Sequence, residues 1–404
     1  MERMSESRFQ TTVINNVFIT QITKQVFWIR LASTLDPFAI GATYWWGLPR
    51  QRKFVKILRY ITLIFGPISF FSQILYFYLH HNEYTFLYLG NLFTVIMVTG
   101  IVLVKLFIAR FPTYKKVMIE FMNTVHIYYY EPKDAFVEET LIKMGKYNRW
   151  AVIIMVVLFG VDTMFWMITP IVNNIINGAY HSNGTVRLQT CIYMQMPFDF
   201  ERDIKNWVLM HVINFYVAGF GCSLLTISDS ILICIITHLI GRLQILRHNL
   251  KVLADEYDSF TENEITERLH ICIRDHVFIL RFFKDLQSSF GLSVTSYYAF
   301  NLIFDALLVL ELKYGDRLTR IAYIVMIFLY VGGLLALSFI MEEIRVQGDA
   351  LPNAVYDIPW ERMSIKNQKT LLLFLARVQP ILVYKAFAGL EAGVRPAFAV
   401  IIEL

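Results

Sequence analysis

The sequence predicts an all-α polytopic membrane protein, and three observations carry that expectation. Of the 404 residues 56% are hydrophobic and only 17% charged, which gives a positive mean hydropathy and excludes an ordinary soluble domain. Six apolar runs, roughly 57–79, 86–108, 151–172, 207–231, 292–312 and 321–341, each reach the ~20 residues a helix needs to cross a bilayer. Lysine and arginine crowd alternate connections between those runs, as they do when one side of the membrane is the cytosol.

Residues 1–56 form a segment before the first span. It carries Arg3, Arg8, Lys24 and Arg30 and lacks a clean apolar core with a small-residue cleavage site, so the first span is expected to act as its own insertion signal. The run 11–32 is moderately amphipathic and suited to the inner membrane surface. Arg50, Arg52, Lys53 and Lys56 precede the first span. Lys115, Lys116, Lys143, Lys146 and Arg149 are among the seven cations between the second and third, and Arg242, Arg247, Lys251, Arg268 and Arg274 among those between the fourth and fifth. The link His80-His81-Asn82-Glu83 has no Lys or Arg, and the loop 177–206 has Arg187, Arg202 and Lys205. The N-terminus is therefore placed in the cytosol, opposite to a G-protein-coupled receptor. The sequon Asn183-Gly184-Thr185 falls in the loop already assigned outside, where Asn183 is available for glycosylation.

The fourth span does not stop where a bilayer would end. Leu243, Leu246, Leu250 and Leu253 continue at helical spacing, and Ile265, Leu269, Ile273, Val277, Leu280 and Phe283 answer them. The region 241–286 is thus a helical extension into the cytosol, an antiparallel pair with its tip near 255–263. Its apolar faces need covering. A third helix beginning after Ser364 as N-cap and running from about 366 to 381, with Leu371, Leu372, Phe374, Leu375 and Val378 on its apolar side, is the natural cover, and an assembly platform is favoured over calmodulin or membrane-surface binding.

No catalytic pattern is present: no Gly-rich phosphate loop, HExxH, Gly-x-Ser-x-Gly or CxxC. No enzyme activity and no cofactor or metal are expected. Cys191, Cys222, Cys234 and Cys272 are too dispersed for a disulfide framework or a zinc site, and only Cys191 is placed for an external bond. The net charge of +5 is spread over several loops, which fits membrane topology and not nucleic-acid binding. Lys105 near the inner end of the second span is expected to snorkel toward the interface. Asp162, Asp229 and Asp305 lie within spans and must face protein or water; Thr226 and Asn301, one turn before the last two, are candidate local partners, with an ion-path or ligand role as the other reading.

The outer halves of four spans are rich in aromatics and sparing in hydrogen bonders, as small-molecule sites are. The candidates are Tyr88, Asn91 and Phe93 in the second span and Phe165, Trp166 and Thr169 in the third. Met210, His211, Asn214 and Phe215 come from the fourth and Tyr323 from the sixth. The same aromatics serve equally as packing or interfacial belts, and a lone His211 as a satisfied core residue.

The stretch Tyr356-Asp-Ile-Pro-Trp360-Glu361, then Leu371 to Gln379 with Pro380, then Lys385-Ala386 followed by Gly389 and Gly393-Val394 resembles the C-terminal region of insect odorant receptors, most closely those of moths. The resemblance implies a seven-transmembrane-type bundle with a cytosolic N-terminus and extended fourth and fifth helices. It makes 342–396 a cytosolic anchor region in which Trp360, Leu371, Leu372, Phe374, Leu375 and Val378 serve subunit assembly. Residues 397–404 would begin a pore-lining seventh span, and such a receptor would continue past Leu404, so the chain looks C-terminally shortened. The implied function is the odorant-binding subunit of a heteromeric ligand-gated cation channel at the plasma membrane of olfactory neurons. It would form a tetramer with the odorant co-receptor, sit in membrane lipid and detect a small apolar volatile, such as a pheromone or plant odorant. A gustatory receptor, a multi-span transporter and a non-conducting subunit are the alternatives; missing internal repeats and broken helix pairs weigh against the transporter. An epitope at the N-terminus is expected to stain only after cells are permeabilised, and staining of intact cells would reverse the orientation.

Overall fold

A computed structural model describes residues 53–121, 124, 134–181, 185–314 and 317–402. The amphipathic run 11–32, Asn183 and the side chain of Tyr323 lie outside them. Seven long or medium helices come first: α1 Lys53–His80, α2 Phe86–Ile108, α3 Pro112–Glu120, α4 Ala135–Ile176, α5 Ile204–Asp255, α6 Glu262–Tyr314 and α7 Arg317–Asp349. There follow α8 Leu351–Tyr356, α9 Ile365–Val378, a two-residue hairpin of β1 Tyr384–Lys385 and β2 Glu391–Ala392, and α10 Val394–Ile402. Among the described residues five helices are long and apolar enough to cross a membrane, namely α1, α2, α4, α5 and α6. The sixth apolar run of the sequence lies inside α7.

Helices start where local chemistry satisfies the free N–H groups of their first turn. Asp134 caps α4 by accepting from the Val137 amide at 2.8 Å, and that bond holds its carboxyl below the ordinary range. Asp203 caps α5 through the Lys205 amide. Pro67 and Pro170 lie within α1 and α4, where a proline removes one backbone hydrogen bond.

With 52 and 53 residues, α5 and α6 are about 78 Å long at 1.5 Å per residue, more than twice the ~30 Å hydrocarbon layer. Each therefore belongs to two bundles. Toward the 177–203 end they pack with α1, α2, α4 and α7. At the other end their continuation forms the largest core, in which Leu243, Leu246, Leu250 and Leu253 of α5 meet Leu269, Ile279, Phe282 and Leu286 of α6. The turn between them is a single 3-10 turn, Tyr257–Ser259, with Thr261 and Glu264 bonded reciprocally at the start of α6.

Helix α9 closes that core. Ser364 caps it as the sequence predicts, and the helix runs Ile365–Val378, ending ahead of Pro380. Leu371, Phe374 and Val378 are buried at spacings of three and four, worth roughly 1.5–3 kcal/mol each. Asn367, also buried, donates to Glu262 Oε1 at 2.6 Å and to Thr266 Oγ1 at 2.8 Å, fixing the register of α9 on α6. The hydroxyl and amide of Ser364 and the Asn367 amide hold the Glu262 carboxyl below its usual range. The β hairpin then lies across α6 at Gly291, where an added Cβ would stand 3.0 Å from the Phe387 amide nitrogen, so a side chain there would press on the hairpin backbone.

Within the membrane bundle the polar residues pair differently from the local pairs read in the sequence. Lys105 does not snorkel: its side chain is 2% exposed and forms an ion pair with Asp229 of α5. A lysine one turn from a helix end can reach water, but here a carboxylate on the facing helix is nearer and desolvated with it. Thr226 donates to its own helix at Cys222 O, and Asn301 donates to Tyr297 O, so neither serves the aspartate one turn on. Both oxygens of Asp305 are buried without a partner among the described residues. Cys191 is a buried free thiol 3.4 Å from Met167 Sδ, not half of an external bond.

Two predictions follow from these buried charges and near-charges. Lys105→Met strands Asp229 and is expected to cost about 3–5 kcal/mol, read as lost thermal stability in detergent, whereas Lys105→Met with Asp229→Leu recovers most of it. His276, buried against the Phe374 ring at 5.5 Å, and His238 are both pushed down to about 4 by burial. Between their ordinary 6.5 and 4 the unfolded chain binds more protons than the folded one, so stability is full above 6.5 and falls as the pH drops through that window. Thermal unfolding at pH 7 and pH 5 should show the loss, and His276→Leu should shrink it.

Candidate functional site

A cavity of about 110 Å³ lies among α1, α2, α4, α5 and α7, roofed by Cys191 and Ile192 of the 185–203 segment. Helices α1, α2 and α4 each contribute residues at helical spacing. From α1 come Thr62, Phe65, Gly66 and Ser69; from α2 Val95, Val98, Thr99, Val102 and Leu103; from α4 Phe159, Asp162, Thr163 and Trp166. Helix α5 supplies Tyr216, Val217, Ala218, Phe220, Gly221, Cys222 and Leu225, and α7 supplies Tyr330. Small residues make the space: Gly66 on α1 and Ala218 and Gly221 on α5 keep these two helices from filling the gap between them.

The lining is apolar, and almost every polar group in it is already bonded. Thr62 Oγ1 and Tyr216 OH are 2.6 Å apart, and Ser69 Oγ donates to Gly66 O at 3.0 Å. Thr99 Oγ1 donates to Gln73 Oε1 at 3.1 Å and Thr163 Oγ1 to Phe159 O at 2.8 Å. Tyr330 OH donates to Asp162 Oδ2 at 3.2 Å. Asp162 Oδ1 is buried with no partner among the described residues.

The roof is tied to three helices. Ser72 of α1 exchanges backbone and hydroxyl hydrogen bonds with Gln195, and Asn174 of α4 brackets Gln189 through both its amide atoms. On α5, Trp207 Nε1 donates to Gln189 O at 2.7 Å, and Asn214 Nδ2 donates to Thr190 Oγ1 and Ile192 O. At the rim Arg187 pairs with Glu83 at 2.7 Å and lies over the Tyr84 ring, while Glu201 accepts from Tyr76 and, at 2.9 Å, from Tyr84. The ion pair raises Arg187 and lowers Glu83 from their ordinary values.

Of the eleven residues singled out in the sequence, Trp166 is the one that lines this cavity. Phe93, Phe165 and Phe215 turn outward, Phe215 being 63% exposed. Tyr88 and Met210 belong to an aromatic cluster with Tyr76, Tyr193 and Phe200, closer to the 177–203 end than the cavity. His211 stacks on Trp207 at 4.9 Å, Asn214 holds the roof and Thr169 bonds its own helix at Phe165 O. Asn91 is half-buried and outside the lining. The sequence candidates lie on four of the helices that line the cavity, but one to two turns nearer the helix ends than the lining residues. Helix α1 was missed, although Thr62, Gly66 and Ser69 carry the signal: small or hydroxyl residues at i, i+4 and i+7 on an otherwise bulky helix.

The assembly residues divide as well. Leu371, Phe374 and Val378 are spent inside this chain's own core with Leu375 packed against it, while Trp360 and Leu372 remain exposed.

Two solved structures share this fold. The insect olfactory receptor OR5 from Machilis hrabei aligns with a TM-score of 0.75 at 15% identity, over 93% of this chain and 95% of that one. The same receptor in complex with eugenol aligns with a TM-score of 0.76 at 13% identity over the same shares. At such identities the likeness concerns the fold. The family itself is carried by sequence: the family model described as 7tm Odorant receptor matches residues 87–394, from the start of α2 to the start of α10. A multi-pass membrane protein with these helices and that match belongs to the 7tm odorant receptor family.

Proposed function

We propose that the chain is the odorant-binding subunit of a heteromeric ligand-gated cation channel, and that the cavity under the 185–203 roof takes the odorant. The observation that carries this reading is the cavity itself: a concave space among five helices, apolar, and with nearly all of its polar groups already bonded to protein partners. An apolar cavity of roughly 150 Å³ stays dry and binds benzene, so about 110 Å³ suits one compact volatile, and a long pheromone chain would need the helices to part. A fold neighbour solved with eugenol supports a small volatile as ligand class.

In this reading the N-terminus is cytosolic and the chain assembles with the odorant co-receptor in the plasma membrane of olfactory neurons, as a tetramer around a central pore. The exposed Trp360 and Leu372 then face a neighbouring subunit, while Leu371, Phe374, Leu375 and Val378 act from within by keeping α9 in place. Ligand opens the channel by binding the open arrangement more tightly than the closed one.

The test is odorant-evoked current from the chain expressed with the co-receptor. Ala218→Phe fills the cavity and is expected to raise the half-maximal concentration of compact volatiles about tenfold or more, whereas the outward-facing Phe215→Ala should leave it nearly unchanged. The reverse ranking would remove the cavity as the odorant site.

A further inference from the structure

The geometry points to a hydroxyl-bearing volatile, a compact alcohol or phenol, as the preferred ligand, with Asp162 as the residue that selects it. The inference rests on the reading of the cavity as the odorant site and adds the chemical class. Thr62, Ser69, Thr99, Thr163 and Tyr216 already have protein partners for their hydroxyls. Asp162 is different. One of its oxygens accepts from Tyr330, and the other, Oδ1, is buried without a partner among the described residues while the residue lines the cavity. The Trp166 indole donates toward the carboxyl from the cavity wall, and Oδ1 itself has no partner at full hydrogen-bond geometry among the described residues.

A buried polar atom left without a partner is costly, and a ligand that supplies one regains that cost on binding. The class of ligand follows from what Oδ1 can do. With the carboxyl ionised, Oδ1 needs a donor; with it protonated and Tyr330 occupying Oδ2, the proton sits on Oδ1 and needs an acceptor. A hydroxyl is both donor and acceptor and satisfies either state. A hydrocarbon satisfies neither, a ketone or ether only the protonated state, and an ammonium only the ionised one. Sites built around a polar partner discriminate strongly against ligands that lack it.

The experiment uses five probes of one size: cyclohexanol, methylcyclohexane, the cyclic ether oxepane, cyclohexanone and cyclohexylamine. Binding is read twice, as ligand-induced thermal stabilisation of the purified receptor and as current from the receptor–co-receptor complex. Cyclohexanol is expected to act at concentrations at least about tenfold below methylcyclohexane and below each of the other three. Asp162→Leu should bring cyclohexanol and methylcyclohexane within about twofold of each other while the hydrocarbon response survives. Asp162→Asn, whose amide both donates and accepts, should keep the hydroxyl preference. Retention of that preference in Asp162→Leu overturns the inference, as does a wild-type preference for the ketone, ether or amine, or no stabilisation by any probe. Ala218→Phe separates the two levels: if it leaves every stabilisation intact, the cavity reading itself fails, and if it abolishes them while Asp162→Leu keeps the preference, the hydroxyl assignment alone fails.

Discussion

The architecture follows from the need to bury α5. Between Ile231 and Ile240 this helix is buried on every face, and such a segment is stable only when helices surround it completely. Helices α2, α4 and α6 do so in its first half. Past the membrane bundle the apolar pattern continues, and the covering must come from elsewhere: α6 turns back alongside it, α3 and α8 lie against the pair, and α9 closes the remaining side. The second bundle exists because α5 does not become polar where the bilayer ends.

The same burial explains the Lys105–Asp229 pair. Neither charge is compatible alone with a site that excludes water, and each is 16% exposed or less. Paired, they fix the register of α2 on α5, since a slip of one residue would turn either side chain by about 100°. The cavity lies on the other side of this contact. Val102 faces it, and Lys105, one turn farther along α2, carries the ion pair, so the position of the cavity wall is set by a charge contact that a purely apolar helix face would not supply.

Much of the fold was legible in the sequence because helix periodicity and caps are local. The apolar runs, the Ser364 cap and the antiparallel extension with its tip near residues 255–263 all follow from spacing along one segment, and the observed tip, the 3-10 turn Tyr257–Ser259, falls inside that range. The site was less legible because it depends on relations between segments. Sequence tells which residues share a helix face, but not how far one helix is shifted along another. That shift decides whether Phe165 or Phe159, two residues on the same helix, meets the cavity. It also decides that Asp229 meets Lys105 from another helix and not Thr226 from its own. The mixed fate of α9 has a similar cause: Leu371 and Leu372 are adjacent and equally apolar, and the angle at which α9 docks buries one and exposes the other.

Because α5 and α6 run unbroken through both bundles, the cavity and the α9 core are mechanically connected. Ala218 and Gly221 of the cavity wall and Leu243 and Leu250 of the α9-bearing core lie on one continuous helix, without a proline in α5 to absorb a change of direction. A rotation or tilt of α5 that widens the cavity is therefore transmitted to the second bundle unless the helix bends. The contacts that resist such a movement are specific: the Lys105–Asp229 pair on one flank, the Asn148–His238 hydrogen bond at 3.2 Å on another, and the Asn367 bonds that lock α9 to the neighbouring helix α6. Packed interfaces of this kind have discrete arrangements rather than a continuous range. In the function proposed above, an odorant in the cavity would act by biasing the choice between packings along the length of α5.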